Sequence, residues 1–92
     1  MRPVNHSIPE ALATILRRAP LSDDKVAFAW RTAVGPALHN ATSIELRNGV
    51  LYVCAKDDAW RREVERSAAV VRARLDSLLG KGVVRTIQVE PQ

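Results

Sequence analysis

Fourteen basic side chains, most of them arginine, and two tryptophans are the residues of this 92-residue chain best equipped to act on another molecule. A guanidinium presents a planar fork that fits phosphate or carboxylate. Tryptophan offers a large apolar face with a single polar handle. The net charge of +4 suits an anionic partner such as a nucleic acid, with simple solubility as the competing explanation. A search for catalysis, by contrast, finds only scattered parts. Gly80-x-Gly82 closes a helix instead of opening one, so it is no phosphate loop. Cys54, His6 and His39 form no cluster at metal-ligand spacing, and no serine lies in a nucleophile-elbow context. Asp57-Asp58 stands just before a helical pattern, where adjacent acids act as caps and not as an acid/base pair. The expectation is a binding protein without enzyme activity, metal or cofactor.

Positioning these residues falls to a small set of elements. Asn48-Gly49 between two apolar runs signals a type I′ hairpin. A two-residue loop pairs Arg47 with Val50, Leu46 with Leu51, Glu45 with Tyr52 and Ile44 with Val53. That register gathers Ile44, Leu46, Leu51 and Val53 on one face. Val50, Tyr52 and Cys54 then share the other, semi-apolar face, which could be covered by helices, a second chain or a partner. From Ala59 a long helix follows, with Trp60, Val64, Ser67-Ala68, Val71, Leu75 and Leu78 on one face. Its other side carries Arg62, Arg66, Ala69, Ala73 and Asp76, with Arg61 and Arg72 on the flank and Glu63 and Glu65 diluting the charge.

Upstream, Ser7-Ile8-Pro9-Glu10 matches a capping box, and Ile8, Leu12, Ile15 and Leu16 form the apolar stripe of a first helix that Pro20 stops. A second helix starts at Ser22 or Asp23, with a stripe of Val26, Trp30 and Ala33-Val34 edged by Ala27. Gly35-Pro36 kinks or ends it, and Ala37-Leu38-His39 can add a further turn. Downstream, Val83 to Val89 reads as a third strand with Ile87 and Val89 inward. The order is α-α-β-β-α-β, an α+β fold of helices on a small three-stranded sheet. Residues 1–6 read as a flexible lead and 7–90 as a single domain. No apolar run is long enough to span a membrane and the amino terminus lacks a signal-peptide core, so a cytoplasmic location is expected.

Several of these motifs, in this order, resemble the DciA family of bacterial replicative-helicase loaders. They are Trp30-x3-Val34-Gly35, Asn48-Gly49-x-Leu51-x-Val53, Asp58-Ala59-Trp60-x2-Glu63-Val64, Leu75 to Leu79 and the closing Val83 to Ile87 strand. The resemblance covers Ala11 to Val89. It implies a KH-like domain that contacts the DnaB-type hexameric helicase, binds DNA, and has neither an ATPase nor a metal of its own. The G-x-x-G loop with which KH domains clamp a nucleic-acid backbone is absent.

On this reading Arg17, Arg18, Lys56, Arg61, Arg62, Arg66 and Arg72 are the expected DNA contacts. Trp60, Tyr52 and Val50 are the expected protein contacts, whereas Trp30 belongs to the core. The function expected is loading of the helicase on single-stranded DNA. The alternatives are a general single-stranded nucleic-acid-binding module and a self-associating scaffold built on the Val50, Tyr52 and Cys54 face, which would show as a weak homo-oligomer.

Overall fold

In the computed structural model, which describes residues 9–90, Asn48 and Gly49 have φ of 50° and 81°. Both central positions of the turn are thus left-handed, as type I′ requires. Strands β1 (Thr42–Arg47) and β2 (Val50–Ala55) pair antiparallel in the expected register, from Arg47 with Val50 to Ile44 with Val53. The turn matters beyond its own strands. The Gly49 carbonyl accepts the Arg85 N–H at 2.7 Å, and a Cβ on Gly49 would run into the Arg85 side chain. Gly49→Ala is therefore expected to lower stability by about 1–2 kcal/mol, the cost of a left-handed L-residue. A shifted urea midpoint at unchanged slope checks it.

Strand β3 (Thr86–Glu90) lies parallel to β2, giving the sheet order β1-β2-β3. Parallel neighbours need a long crossover. Here it is α4 (Asp58–Leu79), which lays Val64, Val71, Leu75, Leu78 and Leu79 into the core against Leu51 and Val53. Helices α1 (Glu10–Arg18), α2 (Asp23–Val34) and the short α3 (Pro36–Asn40) complete that layer. Trp30 of α2 is 1% exposed, and its indole N–H donates to Thr42 Oγ1 at 3.0 Å. No helix among the described residues is long and apolar enough to cross a membrane.

The α+β class and the strand register are as expected, and Gly35, at φ 87°, separates α3 from α2 as a helix of its own. Other details shift. In α1 it is Ala13 that is buried, while Ile15 stands exposed. A small residue at the contact lets α1 approach α4 closely, and Arg17 fixes the approach by donating to the Ser77 carbonyl at 2.7 Å. The Ser7 capping box, Ile8 and the 1–6 lead lie outside the described residues; Pro9 occupies the N-cap of α1 and makes no side-chain capping bond.

In α2, Ala29 is buried in place of Ala27, and Lys25 is buried as well. The lysine's ammonium donates to the Ala19 carbonyl at 2.6 Å, so its burial leaves it with a hydrogen-bond partner. Finally, β3 begins at Thr86, later than the apolar run at Val83 suggests. Gly80 and Gly82, at φ 103° and 88°, turn the chain through 81–85 and drop Val84 into the core as a loop anchor.

Candidate partner groove and basic surfaces

Asp57 sets where Trp60 goes. Its carboxylate accepts the Trp60 N–H at 2.9 Å and caps α4, which fixes the indole in the first turn of the helix. Trp60 rests partly on the core and partly lines an apolar groove of about 670 Å³ between α4 and the α2–α3 corner. Ala33, Val34, Ala37 and Leu38 supply the opposite wall, and Val70 and Val71 continue the α4 side. Val70 is 54% exposed, an unusual place for valine on a helix facing water. Arg74 stands at the groove's margin, where its guanidinium donates to the Ala33 carbonyl at 2.8 Å and covers the end of α2. Alanines alternating with Val34 and Leu38 on one wall, and Trp60, Val70 and Val71 on the other, make a surface that can take apolar side chains of a partner. Val70 and the α2–α3 wall were not foreseen. Their only trace in the sequence is the Ala69-Val70-Val71 run, wider than the core stripe of α4 needs.

The basic residues do not converge. At the head of α4, Asp58 accepts from both Arg61 and Arg62, each pair closing to 2.6 Å, and Arg61 also reaches Glu65 at 3.0 Å. Arg66 is paired with Glu63. These carboxylates offset much of the charge expected to meet DNA. Arg17, at the other end of the molecule's helical layer, bonds Ser77 and lies 3.5 Å from Glu10. Arg18 and Lys56 are exposed. Arg72 is exposed on the flank of α4 and donates to the Arg85 carbonyl at 3.3 Å.

Hydrogen bonds from Arg61 and then Arg62 hold the Asp58 carboxyl below the usual carboxylate range, and the same pairing raises Arg61. A carboxylate with a depressed folded pKa stabilises most above its unfolded pKa, near pH 4, and loses that contribution as pH falls through the folded value. Acid titration of stability is therefore expected to drop more steeply below about pH 4 in the wild type than in Asp58→Asn. Added salt should shrink the difference, because the pairs are exposed.

Val50 and Tyr52 lie elsewhere again. They face away from the helices, with half-exposed Cys54, on a sheet face that the described helices leave open. The Arg47 guanidinium stacks over the Tyr52 ring at 4.4 Å from its centre. The three residues expected to hold a protein partner are thus split between two surfaces, Trp60 on one and Tyr52 with Val50 on the other.

The family model described as "Dna[CI] antecedent, DciA" matches residues 3–89. A UPF0232 protein of Mycolicibacterium smegmatis is 31% identical over 72 residues, covering 77% of this chain and 37% of the relative. A UPF0232 protein of Mycobacterium leprae is 29% identical over 72 residues, covering 77% and 38%. The chain spans little more than a third of the length of these relatives. No solved structure matches it, and the KH-like comparison rests on the family resemblance alone. With the family model running along nearly the whole sequence and over all of the described fold but the last residue of β3, the chain belongs to the DciA family.

Proposed function

We propose that the chain is a non-enzymatic accessory factor of bacterial DNA replication in the cytoplasm, which binds a DnaB-type replicative helicase and DNA and promotes loading of the helicase on single strands. The observation that carries this reading is the family match over residues 3–89. The geometry supports it by offering a docking surface: the Trp60 and Val70 groove accepts apolar side chains from the helicase. A central aromatic anchor among apolar side chains, with charged groups such as Glu63 and Arg74 among its lining, is the usual make-up of an interface hot spot. Calorimetric titration of the host's hexameric helicase with the 92-residue chain tests the reading. Saturable binding at micromolar concentration or tighter is expected, and its absence there would sink the helicase contact.

One observation favours a second reading. The sheet face carrying Val50, Tyr52 and Cys54 has none of the described helices over it, which leaves room for a weak homo-oligomer there. Sedimentation of the chain at high concentration decides this, since a monomeric mass removes the scaffold.

A further inference from the structure

Arg72 of α4 and Arg85, in the turn before β3, line one cleft of about 200 Å³ with Ala68, Ala69, Thr86 and Ile87. They differ in kind from the arginines at the head of α4. Neither is ion-paired among the described residues; each is held by main-chain oxygen. Arg72 donates to the Arg85 carbonyl at 3.3 Å, and the Arg85 guanidinium donates to the Asn48 carbonyl across the turn that Gly49 leaves open. The Arg85 backbone is itself pinned by the Gly49 carbonyl at 2.7 Å.

A carbonyl fixes a guanidinium without cancelling its charge, and each fork keeps further N–H donors for a ligand. Two such charges bordering a cleft walled by alanine methyls, with the exposed Thr86 beside them, are preorganised for an oxyanion. We infer that this cleft binds a backbone phosphate of single-stranded nucleic acid. The inference rests on the DNA-binding half of the proposed function and supplies its site, keeping Arg72 of the expected contacts, adding Arg85 and leaving out Arg61, Arg62 and Arg66.

The neighbouring sheet face argues for a polynucleotide over a free anion. Thr86 pairs with Val50, and Val50 with Arg47, so all three lie in one row across the outer face. Tyr52, two residues along β2, is about 8 Å from Thr86 by strand spacing and rise. That is the reach from a phosphate to its own base. Arg47, stacked on Tyr52 at 4.4 Å and 3.5 Å from Glu45, provides there a planar surface on which a base can lie, by stacking more than by charge. A strand held at Arg72 and Arg85 would therefore pass around the free edge of β3 onto the open sheet.

Fluorescence anisotropy of a labelled twenty-nucleotide oligo-dT with the 92-residue chain tests the site, at two salt concentrations. The double variant Arg72→Gln/Arg85→Gln should lose affinity about tenfold or more, and its log–log salt slope should flatten by about 0.7 per phosphate contact removed. Arg62→Gln/Arg66→Gln should change affinity less than about threefold, since those charges are already offset. Arg72→Lys/Arg85→Lys should fall between, keeping charge while losing the fork. Thermal melting by circular dichroism confirms that each variant is folded. Wild-type binding that survives Arg72→Gln/Arg85→Gln, or that is lost in Arg62→Gln/Arg66→Gln, overturns this site and leaves the DNA reading standing. No oligo-dT binding by the wild type overturns both, while the helicase titration stays independent of either. Inorganic phosphate that protects the wild type against heat, with no oligo-dT binding, would make the cleft a free-phosphate site and overturn the polynucleotide.

Discussion

Trp30→Ala should cost about 3–5 kcal/mol, the range for deleting a fully buried large aromatic side chain. A domain of this size has a total stability of only about 5–15 kcal/mol, toward the lower end for a short chain, so a large unfolded fraction is expected at physiological temperature. Two losses combine. The first is volume: Trp30 is the largest fully buried side chain and sits among residues from several elements. The second is a relay. The indole donates to Thr42 Oγ1 at 3.0 Å, and the Thr42 hydroxyl donates on to the Leu38 carbonyl at 2.8 Å, so one chain of bonds ties α2 to β1 and α3. Thr42→Val isolates the relay and should cost about 1–2 kcal/mol. Urea denaturation of both variants separates the terms. A Trp30→Ala loss below about 1.5 kcal/mol would mean that the indole is not the centre of the core.

Trp60→Ala should weaken helicase binding by about thirtyfold, the effect of removing an interface anchor worth about 2 kcal/mol. Trp60 also touches the core, so a folding defect could mimic lost affinity. Val70→Asp resolves the two. Val70 is 54% exposed and lines the same groove, so a carboxylate there leaves the fold intact while charging the docking surface. It should abolish helicase binding at an unchanged melting temperature. If the helicase still binds Val70→Asp as it does the wild type, the groove is not its dock. Should Tyr52→Ala then be the variant that loses it, the open sheet face takes that role.

Where local chemistry decides, the sequence was readable. Asn48-Gly49 dictates a turn type, the turn type dictates a register, and the alternation of Ile44, Leu46, Leu51 and Val53 agrees with it. The long helix was equally plain, since its leucines and valines recur at helical spacing. Alanine was the weak point. Ala13 and Ala29 go inside while Ile15 and Ala27 stay outside, because close helix approach selects small residues, and alanine's own preference for burial is slight.

Charge was legible in amount and not in effect. Glu63 and Glu65 could be seen to dilute the arginines, yet that Asp58 engages Arg61 and Arg62 together depends on rotamers at a helix start. The Arg72–Arg85 pairing could not be seen at all. It joins residues on either side of a turn whose path follows from two left-handed glycines, Gly80 and Gly82.

The parallel pairing of β2 with β3 also sets an order of events. The hairpin is local and its closure fast, on the order of microseconds, while β3 can find β2 only after the chain has travelled out and back along α4. The contact between Arg85 and the Asn48-Gly49 turn belongs to that final docking. A ligand held there meets the native chain alone and not its half-folded forms. Its binding therefore stabilises the closed state by RT ln(1 + c/Kd), growing with the ligand concentration c, and occupancy would slow the release of the carboxyl-terminal strand.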